Sequence, residues 1–491
     1  MVKYQASLRT SIDSIGPSRT FRYGPVVLLI IAGFFSYDQP VYYLGVFIFL
    51  CLFNLLLDSH VPPVLLFTFV FEWFFNQGQL FEAIFSGVSV TKMPGYKPNV
   101  DETIMLGLIA TASFFIGMFL VARKIKVLSY TEIESFFKRV NLGNLLKVYL
   151  GGYLMVLLFG SAIWRFPALV QPIFVLTYFR WSIFFLLFCT VYFQGKFRGI
   201  LLVLIVTDFF LGFLSFFANF KDVIYFSFIS YWFFYFKSSR LARIFLVLTF
   251  AFMIYIGSLW SYVKQDYREF LNEGTGAQIV RVSRSEALNK FIDLSSRLTS
   301  QELIDGFDQL LLRLSWIGAF NAVHNHVPQK VQHTDGELWK SGVTRPFMPR
   351  VLFPDKKTLD DSKELNLYSG LSVDEDNTSI SLSMVAGSYV DFGSVGMFIP
   401  LFLFGLFCGW VYKKAVEWGR YPVIGYSLTM PMIYLLLINE QSINRIVSSM
   451  VLFLLVLWFI SKFGMGLFLR FILSPASQSR PKPSLNAPAL G

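Results

Sequence analysis

The sequence predicts an all-α, polytopic membrane helix bundle of about 12 transmembrane helices, with one large extracytoplasmic loop containing amphipathic helices. Three observations predict it. Hydrophobic residues make up 55% of the 491 residues and charged residues only 15%, against averages of roughly 45 to 50% and 25% in soluble domains. The 57 Phe, 23 Tyr and 10 Trp are spread along long apolar runs rather than gathered in one core, the distribution expected where lipid is the solvent. Between Ser261 and Asp391 the pattern turns polar for roughly 130 residues, far longer than a connector between packed helices.

A helix crossing ~30 Å of hydrocarbon needs roughly 17 to 25 residues, and fewer where neighbours bury it. The segments that meet this criterion are residues 24–36, 41–57, 62–75, 103–122, 145–163, 175–193, 199–217, 222–236, 241–259, 394–411, 422–438 and 446–462. The first starts near Pro25 with no small-residue cleavage site after it, which predicts a retained signal anchor. The chain thus divides into a cytoplasmic N-terminus (1–23), an N-terminal bundle of about nine spans (24–259) and a periplasmic loop (260–392). A C-terminal hairpin and last span (393–462) and a cytoplasmic tail (463–491) follow. The tail is Pro/Ser-rich from Pro475 and is expected to be partly disordered.

Charge sets the orientation. With the N-terminus inside, the cations of Lys3–Arg22, Arg123–Arg139, Lys196–Arg198, Lys237–Arg243, Lys413–Arg420 and Arg470–Lys482 all fall in the cytoplasm. The short outer connectors hold only Lys92, Lys97, Arg165, Lys221 and Arg445. That bias places both termini inside. It also accounts for the net charge of +11: these cations punctuate apolar segments and form no basic face, so nucleic acid is not an expected partner. Cys51, Cys189 and Cys408 each lie within an apolar run, which argues against disulfides and against a Cys-based zinc site.

Within the loop, Ala287, Leu288, Phe291, Ile292, Leu294 and Leu298 recur at helical spacing, as do the apolar residues from Leu303 to Ile317. Two amphipathic helices at the interface or over the bundle are expected. The Thr344–Arg350 and Phe353–Lys357 runs are dense in Pro and cations, so no long helix is expected there. Ser369–Asp376 reads as a polar lid.

Ionisable groups at membrane depth are costly, so each is a functional candidate. Glu72, Arg180, Asp208, Lys221, Asp222, Glu440 and Arg445 fall in or at the ends of predicted spans. Lys221 with Asp222, and Glu440 with Arg445, read equally well as interfacial pairs. Together with Arg165, Arg345, Arg350, Lys356 and Lys357 they make an outward-facing cationic set suited to an anionic lipid headgroup. His324, His326 and His333 near Asp335 and Glu337 lack a completing Cys, and Asp374-Glu375-Asp376 reads as a solvated acidic run, so no metal site is expected. No Gly-rich nucleotide loop, His-Glu-x-x-His or Gly-x-Ser-x-Gly turn occurs, which argues against ATP-driven transport and zinc proteolysis. Gly405-x-x-x-Gly409 matches the small-residue pattern of closely packed membrane helices.

Four passages carry a family likeness. A hydrophobic hairpin opens the chain and is followed by Pro62-Pro63; two mid-chain spans are joined through Ser215 to Asp222; the outer loop carries Arg345-Pro346 and Pro349-Arg350. The loop re-enters through Thr378-Ser-Ile-Ser and Ala386-Gly387-Ser388-Tyr389-Val-Asp391-Phe392-Gly393-Ser-Val-Gly396. The layout resembles the Wzy-type O-antigen polymerases, the oligosaccharide repeat-unit polymerases of bacterial envelope glycan synthesis. The resemblance implies a glycosyltransferase of the bacterial inner membrane. It would polymerise undecaprenyl-pyrophosphate-linked oligosaccharide units into O-antigen, capsule or exopolysaccharide at the periplasmic face.

Such a transfer needs cations to stabilise the departing diphosphate and a base for the acceptor hydroxyl. The implied cations are Arg165, Arg180, Lys221, Arg345, Arg350, Lys356 and Arg445. The base candidates are His324, His326, Asp391 and Glu440, unranked. No cofactor or metal is required, and a chain-length regulator and a flippase are the implied partner proteins. A ligase acting from the same carrier is the nearest alternative. A transporter or flippase would be expected to show matching halves and short loops, and a non-catalytic scaffold is the third reading.

Overall fold

The computed structural model describes residues 19–57, 61–125, 128–160, 170–213, 219–233, 240–275, 280–348, 352–353, 360–373 and 380–473. Among the described residues the chain is helical and contains no β-strand. The first ten helices are α1 (Arg19–Gly33), α2 (Gln39–Leu56), α3 (Val64–Ser86), α4 (Val100–Ala122), α5 (Tyr130–Arg139), α6 (Leu142–Gly160), α7 (Val170–Gln194), α8 (Arg198–Phe213), α9 (Phe220–Trp232) and α10 (Arg240–Leu271). The polar region supplies α11 (Arg284–Ser296), α12 (Ser300–Arg313), α13 (Ile317–His326), α14 (Glu337–Thr344) and α15 (Asp361–Ser369). The chain returns through α16 (Met384–Gly396), α17 (Phe398–Trp418), α18 (Pro422–Leu428), α19 (Met432–Leu435), α20 (Ile443–Phe459) and α21 (Met465–Ile472).

Among the described residues, six helices are long and apolar enough to cross a membrane: α2, α4, most of α7, the C-terminal 25 residues of α10, α17, and the continuous run from Ile443 to Ile472. The chain therefore has the helices of a multi-pass membrane protein. Other predicted spans are helical but shorter or more polar. The α8 helix has 16 residues and α9 has 13, while α3 carries Glu72, Asn76, Gln77 and Gln79. Helices that make a capping box are α5 (Ser129 with Glu132), α11 (Ser283 with Glu286) and α12 (Thr299 with Glu302). These are amphipathic surface helices, whose first amide groups must otherwise compete with solvent for partners.

Three expectations need correction. The span at 422–438 is not one helix: α18 ends at Leu428, α19 is four residues long, and irregular backbone follows. Pro431 lacks the amide that a continuous helix would use. The break is tolerated because Thr429, Met430 and Met432 are fully buried in protein. The motif around Asp391 does not open the next span directly, since Gly393 has φ +69° and interrupts α16, and the span proper starts at Phe398. Only glycine adopts that conformation without strain. The second loop helix ends at Arg313, and Ile317 begins α13 instead.

Helices α4 and α17 meet backbone to backbone. A Cβ on Gly405 would strike the Phe114 carbonyl, one on Gly409 the Met118 carbonyl, and one on Gly117 the Phe402 carbonyl. The small-residue pattern thus has its partner, and Gly405→Leu is expected to destabilise the bundle by roughly 3 kcal/mol or more, because backbone cannot yield as a side chain does. Thermal unfolding in detergent checks this, with Gly199→Ala, which faces open space, expected to be neutral.

Candidate functional site

Because the broken span stops at Leu435, the polar backbone that follows must find partners outside a helix. It draws them from four elements. Asn439 donates from its backbone amide (3.1 Å) and its side chain (2.6 Å) to Glu72 of α3, which is fully buried. The Met384 amide of α16 donates to the carbonyls of Ile438 (2.9 Å) and Gln441 (2.8 Å), and the Ser381 hydroxyl donates to that of Glu440 (2.8 Å). Ser442 donates to Asp361 of α15 (3.2 Å), and Ser341 of α14 donates to Asn444 (2.8 Å). Residues 438–445 therefore tie the polar region to the bundle.

The chemically richest point on this junction is α15. Asp360 caps it by accepting from the Lys363 amide, and Gly370 ends it in the left-handed conformation. Asp361, Glu364 and Tyr368 recur at helical spacing and share one face. The Asp361 side chain is 2% exposed and forms an ion pair with Arg445, whose side chain is 45% exposed. Burial raises the Asp361 carboxyl, and Arg445 and Ser442 oppose the rise. Glu364 is pushed up to about 7, first by burial, then by the carboxylates of Asp361 and Asp391, with Arg345 opposing. A half-buried carboxyl that exchanges its proton near neutrality thus lies in the field of Arg345, one turn along α15 from the Asp361–Arg445 ion pair. That combination can move a proton and stabilise a developing anion at one place.

The structure gathers four of the residues expected from sequence around α15. Arg345 and Arg445 act as just described. The His326 ring lies against Gly370, where an added Cβ would come within 2.8 Å of Nδ1. Asp391 is buried, and its carboxylate accepts from the Thr334 hydroxyl and from the backbone amides of Leu338 (3.1 Å) and Trp339 (2.8 Å). It is committed to holding the start of α14, the helix that leads into Arg345, and so acts as a positioning residue.

The other predicted residues lie elsewhere. His324 hydrogen-bonds through Nδ1 with Thr103 at the head of α4 (2.9 Å); burial lowers its pKa, and Glu102 opposes the shift. His333 contacts the Val390 carbonyl through Nδ1 (3.1 Å). Arg180 pairs with Asp208 (3.1 Å) and lies over the Trp181 ring, 4.3 Å from its centroid. Lys221 is exposed at the head of α9, and with Glu440 it is an electrostatic neighbour of Tyr225. Arg165, Arg350 and Lys356 lie outside the described residues. Among the described residues, no group of three or more His, Cys, Asp or Glu converges as a metal site.

Asp361 and Glu364 were not anticipated from the sequence. The signal available was an acidic cap followed by a carboxylate and an aromatic at helical spacing, Asp360-Asp361-x-x-Glu364-x-x-x-Tyr368. The adjoining run of Pro and Lys masked it.

Residues 66–466 match the model of a family described as a domain of unknown function, DUF8712. The chain belongs to that family. No curated protein and no solved structure matches it. The DUF8712 region starts within α3 and ends within α21, so Glu72, the 438–445 junction and all of α15 lie inside it.

Proposed function

We propose that this DUF8712 protein is an inner-membrane glycosyltransferase that polymerises undecaprenyl-pyrophosphate-linked oligosaccharide units at the periplasmic face. The bundle crosses the membrane about 12 times with both termini in the cytoplasm. The observation that carries the reading is Glu364, a carboxyl titrating at about 7 beside Arg345, on the helix whose Asp361 is paired with Arg445. Glu364 takes the proton of the acceptor sugar hydroxyl, whose oxygen then bonds to the anomeric carbon of the donor. The bond from that carbon to the diphosphate breaks, and its electron pair leaves on a phosphate oxygen that Arg345 and Arg445 stabilise. The chemistry needs no metal.

The test is the gel profile of surface polysaccharide in a deletion strain complemented with wild-type or variant chain. Loss of polymer with accumulation of single-unit glycan is expected on deletion. Long unattached polymer would assign the protein to the ligase class instead, and an unchanged profile would end the proposal. One observation favours a transport reading, the broken helix at 422–435, because discontinuous helices form substrate sites in many transporters. A transporter's loss would strand the lipid-linked unit on the cytoplasmic face, where enzymes added to spheroplasts from outside cannot reach it.

A further inference from the structure

The α10 helix has 32 residues, which at 1.5 Å per residue gives ~48 Å, well beyond the ~30 Å hydrocarbon core. Its last turns therefore reach headgroup level or above when the remainder spans the membrane. Lys264 and Arg268 stand there one turn apart and so share a face.

The α12 helix packs across this end of α10. Gly306 is so close that a Cβ there would strike the Ser258 carbonyl, Leu310 lies beside Gly257, and the Tyr262 hydroxyl donates to Glu302 (2.9 Å). The last turn of α12 carries Arg313. Arg313 is an electrostatic neighbour of both Lys264 and Arg268, and among the described residues the charged neighbours of Lys264 are those two arginines. The carboxylates Glu302, Asp305 and Asp266 are electrostatic neighbours of Tyr262. Assembling three cations costs like-charge repulsion that an anion would relieve. Lower on α10, Val247, Phe250 and Ile254 are exposed apolar side chains that share one face at helical spacing, a flank suited to acyl chains rather than to a soluble ion.

We propose that Lys264, Arg268 and Arg313 cradle the phosphate of an anionic phospholipid headgroup, with its acyl chains along the exposed flank of α10. The site is separate from α15 and depends on the bundle lying in a membrane, not on the transfer chemistry proposed above. Native mass spectrometry of the full-length protein in detergent, offered phosphatidylglycerol and phosphatidylcholine in equal amounts, tests it. Wild type is expected to retain phosphatidylglycerol preferentially. The Lys264→Gln/Arg313→Gln variant is expected to lose roughly thirtyfold of that affinity, at about tenfold per 1.4 kcal/mol and about 1 kcal/mol per cation. An Arg284→Gln/Arg297→Gln control, which removes two exposed loop cations, is expected to keep it. Should the double variant fold poorly, Lys264→Arg is expected to retain the preference and Lys264→Met to lose it. Equal lipid retention by wild type and charge-removed variants would overturn the proposal, as would inorganic diphosphate binding as tightly as phosphatidylglycerol, which would assign the cradle to a soluble anion.

Discussion

A Glu364→Gln chain is expected to transfer glycan roughly 10² to 10⁴ times more slowly than wild type, the usual loss when a general base is removed. The pH profile distinguishes this from mere structural damage. Glu364 titrates at about 7 instead of its ordinary 4.5, so wild-type activity on lipid-linked substrate should rise through neutrality and level off as the carboxylate forms. The glutamine variant should be slow at every pH. Stability should move the other way: a carboxyl whose folded pKa lies above its unfolded value stabilises fully below about 4.5, and the contribution is lost as pH rises toward about 7. At pH 8 wild type holds an ionised, half-buried carboxylate that the neutral amide avoids, so Glu364→Gln should unfold at a higher temperature while transferring less. Residues at working sites often show this opposition of stability and activity. A variant that lost activity and stability together at pH 8 would remove Glu364 from the proposed mechanism.

The helical elements were largely legible in the sequence, because long apolar runs leave the backbone few alternatives in lipid. Each predicted span overlaps a helix, and the amphipathic spacing at Ala287–Leu298 and after Leu303 marks α11 and α12. The break at 429–431 was not legible by the same criterion, since hydropathy averages over a buried proline and reads the segment as one span. The site divides in a similar way. Arg345 and Arg445 stand out as cations beside apolar segments, whereas Asp361 and Glu364 sit in a polar run where a carboxylate is unremarkable. The interest of Asp361 comes from its contacts with Ser442 and Arg445 and that of Glu364 from burial, tertiary effects that no local pattern encodes. Asp391 shows the converse, a conspicuous acid in a conspicuous motif whose oxygens are occupied by the amides of Leu338 and Trp339.

The second large effect is expected from Arg445→Ala, which leaves the buried Asp361 carboxylate without its ion-pair partner. Breaking a fully buried pair costs roughly 3 to 5 kcal/mol; Arg445 is itself 45% exposed, which reduces the expected loss to roughly 1 to 3 kcal/mol. The loss should depend on pH with a definite sign. Burial raises the Asp361 carboxyl and Arg445 opposes the rise, so without the arginine the folded-state pKa climbs further above the unfolded value. The variant should therefore come close to wild type in acid, where Asp361 is protonated, and fall furthest below it as pH rises and the charge must form unpaired. An Asp361→Asn/Arg445→Ala double variant should recover much of the deficit at pH 8, because the uncompensated charge is gone, and the two single changes should be far from additive. Thermal unfolding of the four proteins in detergent at pH 5 and pH 8 measures both effects. A deficit equal at the two pH values and additive with Asp361→Asn would mean that Arg445 does not act through Asp361, and that the electrostatic tie between α15 and the 438–445 junction contributes nothing to holding Glu364 in place.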